Sequence, residues 1–225
     1  MHFLLENSLY LLLALACVFT CVWLLLLRDR LNMSWYAAIW FSVLHVIYGV
    51  LCVKVFAVME GNPLSGGAMS LFGAVFFMPI AYLIGAKVSK REVHEVFDIF
   101  AICMIFTLMC ARINCLFAGC CLGKQISSLA VTRWPTRELE LAFYVIFLGC
   151  MIPKVWNDKS RGIVYPVYMI SYGVVRFVLE FFRVSSTNTL FHISHLWAFM
   201  SFIIGLGIYI EIHQQHPTPK KKTRA

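Results

Sequence analysis

Long apolar segments recur along the whole of this 225-residue chain, and they restrict its fold more than any other feature. Their usual length is about 20 residues, which is what a helix needs to cross a hydrocarbon core of about 30 Å. Charged residues make up only 13% of the chain, about half of their usual share in a soluble domain. The sequence therefore predicts an all-α integral membrane protein, with no separate soluble domain.

Seven membrane-spanning helices are predicted from the apolar segments and the polar stretches between them. They cover residues 7–27, 35–58, 69–86, 96–113, 139–156, 163–183 and 193–212. Residues 1–213 are accordingly expected to form one seven-helix bundle. The basic stretch 214–225 is expected to be a disordered tail that contacts anionic lipid at most weakly.

The distribution of basic residues between the predicted loops orients the chain in the membrane. One set of alternate loops, together with the carboxyl-terminal tail, holds most of them: Arg28, Arg30, Lys87, Lys90, Arg91, Lys154, Lys159, Arg161, Lys220, Lys221, Lys222 and Arg224. Because cytoplasmic loops are enriched in Lys and Arg, this bias places the amino terminus outside and the carboxyl terminus in the cytoplasm. It also explains the net charge of +8 without a nucleic-acid partner.

Charged residues within the predicted spans indicate a polar pocket in the bundle. Arg176 and Glu180 are four residues apart in the sixth span and so share one helix face, with Arg183 about one turn further on. A charge at the bilayer centre costs about 2.5–3.5 kcal/mol or more, which requires a reason for keeping it there. A structural ion pair between helices is one explanation. An anion site is the other, since Arg112 ends the fourth span on the same side and guanidinium groups match phosphate oxygens.

Four short motifs occur in order along the chain. They are GAMSLFG at 67–73, ARINCLFAGCCLG at 111–123, PTRELE at 135–140 and YGVVRFVLEFFR at 172–183. They resemble the G-G-M-S-F-H-G-G, G-R-I-G-N-F-I-N-G-E-x-x-G, H-P-(S/T)-Q-L-Y-E and Y-G-x-x-R-F-x-x-E-F-x-R motifs of bacterial prolipoprotein diacylglyceryl transferases. The last motif matches at every defined position, so the chain is identified as a short, divergent member of that family.

The resemblance implies an activity and its partners. Such enzymes transfer the diacylglyceryl group of phosphatidylglycerol to the lipobox cysteine thiol in the signal peptide of a preprolipoprotein and release glycerol phosphate. The reaction is the first step of lipoprotein maturation and takes place at the outer face of the bacterial cytoplasmic (inner) membrane, without a cofactor. Two alternatives stay open, namely a paralogous membrane lipid-headgroup or acyl-glyceryl transferase with a different acceptor, and a non-catalytic phospholipid-binding membrane protein.

The resemblance also implies roles for individual residues. Arg112 and Arg176 are expected to stabilise the charge that develops on the leaving phosphate. Glu180 is expected to hold Arg176 in place, and Glu140 to support the site or handle a proton. The residues expected to bind substrate are Ser70, Gly119, Gly123, Tyr172 and Arg183.

The chain departs from the family motifs at positions that affect the chemistry. Phe72 stands where the family has a histidine that is often proposed as the base, and phenylalanine cannot accept a proton. Cys115 and Cys120 replace an asparagine and an acidic residue, and Trp134 replaces a second histidine. The sequence therefore leaves the proton acceptor unidentified.

Cys115, Cys120 and Cys121 lie close together in a predicted loop and raise the question of a metal site. Adjacent cysteines rarely make good ligand pairs, and neither a C-x-x-C motif nor a histidine stands at zinc-like spacing. We therefore expect no metal here, and expect these small side chains to pack around the glycines. His192 and His195 are three residues apart at the start of the last span, and a structural pair is the expected arrangement there.

Overall fold

A computed structural model of the protein describes residues 7–63, 69–126, 133–184 and 191–215. These residues form eight helices in total. The helices are α1 (Ser8–Leu26), α2 (Arg28–Leu31), α3 (Trp35–Met59), α4 (Phe72–Ser89), α5 (Val93–Phe117), α6 (Thr136–Trp156), α7 (Val164–Phe181) and α8 (Ile193–Gln215). Within the described residues the only β-type pairing is two isolated bridges, so the predicted all-α fold is confirmed for them.

Six of the helices are long and apolar enough to cross a membrane, namely α1, α3, α5, α6, α7 and α8. Helix α4 has a shorter apolar stretch, Phe72–Lys87, and contains Pro79. The prediction of a multi-pass helical membrane protein is confirmed. Six of the seven predicted spans correspond to helices of sufficient length and apolarity, and the seventh, at α4, stays a prediction. The first two residues of the GAMSLFG motif, Gly67 and Ala68, and the tail beyond residue 215 lie outside the described residues.

Helix α5 is the centre of the bundle and packs against α1, α4, α6 and α7. Its residues from Ile99 to Ile105 are at most 9% exposed. A helix that is buried on all sides in this way lies in the core of the bundle rather than at a lipid-facing surface. The helix also continues to Phe117, beyond the predicted end at residue 113, so Arg112 lies more than one turn inside it.

Helices α7 and α8 approach each other closely at glycine. A Cβ on Gly173 would lie 2.7 Å from the carbonyl oxygen of Ala198, and one on Gly205 would lie 2.7 Å from the Cβ of Met169. Small residues allow helix backbones to approach in this way within membranes. The packing fixes the rotation of α7 about its axis, which decides where its charged residues point.

Polar contacts fix the start of α7 at the opposite end of the bundle from Arg112. Asp98 on α5 accepts hydrogen bonds from the backbone N–H groups of Gly162, at 2.6 Å, and Val164, at 3.0 Å. A carboxylate at this position satisfies free N–H groups and complements the helix dipole. Asp98 and Arg112 are about 21 Å apart along α5, given a rise of about 1.5 Å per residue. The height of α7 relative to α5 is thereby set.

Candidate active site

Two buried arginines and one glutamate from three helices form the centre of the candidate site. Arg112 Nε on α5 lies 2.8 Å from Glu140 Oε1 on α6, and Arg176 Nη1 on α7 lies 3.5 Å from Glu140 Oε2. Arg112 is 5% exposed, Arg176 6% and Glu140 2%. Glu140 therefore holds both guanidinium groups, one with each carboxylate oxygen.

A second carboxylate and a third arginine extend this cluster along α7. Arg176 Nη2 lies 3.0 Å from Glu180 Oε2, and Arg183 Nη1 lies 3.9 Å from the same oxygen. The spacings of four and three residues place these side chains on one face of the helix. Three arginines thus share two carboxylates, which leaves a net positive charge in a largely apolar bundle.

Arg112 and Arg176 line one cavity of about 1020 Å³. The predicted site residues that line it are Ser70, Arg112, Tyr172, Arg176, Glu180 and Arg183. Glu140 contacts both arginines but is not among the residues that line the cavity. The cavity is at the upper end of the size range of small-molecule sites. Both guanidinium groups therefore present positive charge to an anion in the cavity.

Gly119 and Gly123, which were predicted to bind substrate, are outside the set of residues that line the cavity. Gly119 has φ +64°, and a Cβ on Gly123 would overlap the carbonyl group of Trp134. Gly123 also forms an isolated bridge with Arg183, and the Lys124 N–H donates to the Phe182 carbonyl at 2.7 Å. In this structure the two glycines shape the loop that follows α5 and hold it against the end of α7.

Tyrosines close the inner end of the cavity. Tyr172 lines it, and Tyr168 stacks on Tyr172 one turn further along α7 with ring centroids 5.3 Å apart. Tyr144 lies one turn beyond Glu140 on α6, with its ring centroid 6.4 Å from that of Tyr168. All three tyrosines are fully buried. A packed aromatic layer therefore lies beneath the arginines.

Phe72, at the position of the family histidine, belongs to the same site. It lines the cavity, and its ring centroid is 5.9 Å from the Arg176 Cζ atom. A guanidinium at this distance from an aromatic ring is attracted to its π-electrons. Phe72 therefore contributes to the position of Arg176 and cannot take part in proton transfer.

Glu60 and His192 line the cavity although sequence reasoning assigned neither to the site. Glu60 follows α3 directly, and its carboxylate forms a hydrogen bond with the Ser70 side chain. Burial raises the pKa of Glu60 above its ordinary value. His192 was expected to form a structural pair, and its backbone N–H donates to Nδ1 of His195 at 3.1 Å. The one sequence signal for Glu60 is a carboxylate placed immediately at the end of a predicted span.

The three cysteines that follow Arg112 also reach this site. The sulfur atoms of Cys115, Cys120 and Cys121 all lie within 4.8 Å of one another. Arg183 Nη2 lies 2.6 Å from Cys121 Sγ. A hydrogen bond from the Cys115 thiol, together with the positive charges of Arg183 and Arg112, lowers the pKa of Cys121. The thiols are therefore part of the polar cluster rather than packing groups around the glycines.

Comparison with known proteins shows similarity to one family. Its sequence model, described as prolipoprotein diacylglyceryl transferase, matches residues 8–211. The chain is 28% identical over 166 residues to phosphatidylglycerol–prolipoprotein diacylglyceryl transferase 2 of Clostridium perfringens, an alignment that covers 63% of this chain and 65% of that protein. It is 23% identical over 158 residues to phosphatidylglycerol–prolipoprotein diacylglyceryl transferase of Clostridium tetani, with 64% of each chain covered.

A third relative is phosphatidylglycerol–prolipoprotein diacylglyceryl transferase of Mannheimia succiniciproducens. It is 28% identical over 127 residues, which are 52% of this chain and 47% of that protein. The chain thus spans less than two thirds of the length of the curated relatives that it matches.

Proposed function

Because the chain belongs to the prolipoprotein diacylglyceryl transferase family, we propose that it transfers a diacylglyceryl group from phosphatidylglycerol to the lipobox cysteine thiol of preprolipoproteins. The names of the relatives support the donor and the class of acceptor. Glycerol phosphate is the second product, and lipoprotein maturation starts with this step. Residues 1–213 form the catalytic domain.

The observation that supports this function most directly is the convergence of Arg112 and Arg176 on one cavity. In the reaction, the bond between the diacylglyceryl carbon and a phosphate oxygen breaks, and negative charge grows on the departing phosphate. Guanidinium groups that are already fixed near this phosphate stabilise the charge without reorganisation at the moment of reaction. Carboxylates of the protein fix both guanidinium groups. Glu140 forms an ion pair with Arg112 and with Arg176, and Glu180 forms a second ion pair with Arg176.

The remaining lining residues fit a bound lipid headgroup. Arg183 and Tyr172 lie on the same helix face as Arg176, and Ser70 lines the same cavity together with its hydrogen-bond partner Glu60. These groups offer hydrogen bonds to the glycerol hydroxyls and to the phosphate. The nucleophile is the thiol of the acceptor, so the transfer requires no nucleophile from the enzyme.

We propose that the chain lies in the bacterial inner membrane with seven spans, the amino terminus outside and the carboxyl terminus in the cytoplasm. The bias of basic residues between loops supports this orientation. Helix α4 has 18 residues and so a length of about 27 Å, close to the thickness of the hydrocarbon core. In this orientation the cavity opens toward the outer leaflet, where the donor lipid and the lipobox peptide meet.

Lysine variants test the role of the two arginines. Arg112→Lys and Arg176→Lys keep the charge but lose the forked donor geometry, so each is expected to lower transfer by about 10²-fold or more. The assay follows labelled phosphatidylglycerol and a lipobox peptide by the thioether product. Arg30→Lys is the matched control, because Arg30 forms ion pairs with Glu95 and Asp158 at the other end of the bundle.

The control separates catalysis from folding. Arg30→Lys is expected to lower the thermal unfolding temperature in detergent while the purified folded protein retains transfer. Near-wild-type transfer by both Arg112→Lys and Arg176→Lys would contradict the assigned roles. If wild-type protein produces no thioether from phosphatidylglycerol, the proposed activity is wrong.

A transferase with a different acceptor is the second candidate function. Phe72 favours it, because the position beside Arg176 lacks the ionisable side chain found in the family motif. An acceptor whose nucleophile is already ionised requires no base at that position. Transfer from phosphatidylglycerol to small thiols that are ionised at neutral pH, without transfer to the lipobox peptide, would identify this activity.

A further inference from the structure

The cysteine cluster is the part of the cavity for which the proposed transfer reaction has no use. Cys115 lies in the last turn of α5, and Cys120 and Cys121 lie in the loop after this helix. Positive φ angles at Gly119, +64°, and Cys121, +57°, turn this loop back over the end of the helix. The sulfur atoms consequently converge within 4.8 Å of one another, and all three cysteines line the cavity.

This geometry is close to that of a thiolate metal site. In a tetrahedral zinc site with Zn–S bonds of about 2.3 Å, the sulfur atoms are roughly 3.8 Å apart. The observed sulfur atoms reach this separation with shifts on the order of 1 Å, and Cys120 is an exposed residue in a loop, where such shifts cost little. Spacing in the sequence did not predict such a site, because the helix end and the two left-handed residues create it.

The positive charges around the cluster favour thiolates, and thiolates are the form of cysteine that binds zinc. Arg183 Nη2 lies 2.6 Å from Cys121 Sγ, and Arg112 Nη1 lies 3.9 Å from it. Three thiolates and one divalent cation together have a charge of −1, which Arg183 neutralises. Hydrogen bonds to coordinated sulfur are a usual means of tuning and orienting such ligands.

We propose that Cys115, Cys120 and Cys121 bind one zinc ion and that the fourth coordination position faces the cavity. Three protein ligands with one open position are the arrangement of catalytic rather than structural zinc. In the proposed transfer reaction, the acceptor thiol occupies this open position, and this part of the inference rests on the proposed function. A thiol that coordinates zinc is deprotonated and available as a nucleophile at neutral pH.

The resulting step is balanced and supplies what Phe72 cannot. The acceptor S–H bond breaks as the thiol binds zinc, and the proton goes to the Glu60 carboxylate, which lines the same cavity. The sulfur then forms a bond to the diacylglyceryl carbon as the bond from that carbon to the phosphate oxygen breaks. The electron pair of the broken bond stays with the phosphate, beside Arg112 and Arg176.

Metal binding is tested without any activity assay. Reduced, metal-free protein in detergent is titrated with Zn²⁺ against a competing chelator, and with Co²⁺, whose thiolate complexes absorb in the near ultraviolet. Wild type is expected to bind one equivalent and to show the sulfur-to-cobalt band. Cys120→Ser and Cys121→Ser are expected to lose both, whereas Cys150→Ser, which removes an exposed thiol on α6, retains both.

Failure of wild type to bind stoichiometric Zn²⁺ or Co²⁺ with all thiols reduced would overturn the proposal. The same conclusion holds if two of the three cysteines form a disulfide and the reduced protein binds no metal, since the cluster is then a redox pair. Helix content measured by circular dichroism shows whether the serine variants fold. Cys120→Ser is the safer variant because Cys120 is exposed.

Activity then separates this inference from the proposed function. Loss of transfer on chelation, with recovery on adding Zn²⁺, supports the role of the metal in binding the acceptor thiol. If zinc binds but chelation leaves transfer unchanged, the catalytic role is wrong. If zinc binds and no transfer occurs under any condition, the proposed activity fails and the metal site stands.

Discussion

At the scale of single residues, the site depends on how Glu140 is shared. This carboxylate contacts both Arg112 and Arg176 and is almost inaccessible to solvent. Without it, two guanidinium groups would repel each other in a medium of low dielectric constant. Glu140 therefore determines the separation of the two cations that face the cavity.

Glu140→Gln is expected to damage both stability and activity. Breaking a buried ion pair by removing one charge costs about 3–5 kcal/mol, and displaced arginines are expected to lower transfer by about 10²-fold. Thermal unfolding in detergent and transfer of labelled lipid measure the two effects. Glu138→Gln is the control on the same helix, because Glu138 is half exposed and contacts only its neighbour Arg137 among the ion pairs formed by the described residues. Equal effects of the two substitutions would refute the special role of Glu140.

Glu60 gives a pH-dependent prediction. Its pKa is raised in the folded protein, first by burial, so the folded state holds the proton more tightly than the unfolded chain does. The ionised carboxylate therefore costs stability at neutral pH, and this cost disappears as the pH falls below the ordinary value of 4.5. Glu60→Gln is expected to raise the unfolding temperature at pH 8 and to match wild type at low pH. Asp29→Asn, at a side chain that is 93% exposed, is expected to follow wild type throughout. A Glu60→Gln variant less stable than wild type at pH 8 would contradict the assignment.

At the scale of the helices, the sequence predicts the elements well and their ends less well. Apolar length was sufficient to find each long helix. It did not predict that α5 continues past residue 113, because Asn114 and Cys115 looked like the start of a loop. That extra turn moves Arg112 inside the helix, and it brings Cys115 near Cys120 and Cys121. The cysteine cluster depends on two left-handed residues, for which the glycine at 119 was a signal and the cysteine at 121 was not.

The motif residues show a similar limit. The sequence placed Arg176 and Glu180 on one helix face, and the structure has them 3.0 Å apart. It could not show that Glu140 contacts both arginines, since that contact depends on how three helices pack. Glu60 was missed for the same reason, because its place in the cavity is set by a turn between α3 and α4.

The close packing of α7 and α8 can be tested by adding one methyl group. Gly173→Ala places a Cβ 2.7 Å from the Ala198 carbonyl oxygen and is expected to cost about 1–3 kcal/mol. Gly207→Ala, on α8, meets nothing within 4 Å and is expected to be neutral or to stabilise by up to about 1 kcal/mol. Chemical or thermal unfolding of the two variants in the same detergent compares them. Equal stability of both would show that α7 and α8 separate at little cost.

At the scale of the whole molecule, the orientation in the membrane determines the side of the membrane to which the cavity opens. The arginines, the cysteine cluster and Glu60 lie at the same end of the bundle, whereas Arg30 and its partners Glu95 and Asp158 lie at the other end. In the proposed orientation, which rests on the basic residues of the loops at the Arg30 end, that end faces the cytoplasm. In the proposed function, structural ion pairs therefore lie at one end of the bundle and the transfer reaction takes place at the other.

Reporter fusions test this orientation. Green fluorescent protein fused to the carboxyl terminus is expected to fluoresce, and alkaline phosphatase fused at the same position is expected to be inactive, because both report a cytoplasmic location. Alkaline phosphatase inserted after Gln125, in the loop after α5, is expected to be active. The reverse pattern would place the cavity on the cytoplasmic side and would contradict the proposed encounter with exported preprolipoproteins.

The tyrosine layer beneath the arginines has a consequence for the cell as a whole. A bacterial inner membrane maintains a proton gradient, and a continuous water-filled channel through a membrane protein would dissipate it. The layer that would have to be crossed beneath the arginines consists of buried, packed side chains, those of Tyr144, Tyr168 and Tyr172. In the proposed inner-membrane location, the bundle can consequently admit water and ionic headgroups from one side without opening a path for protons to the other side.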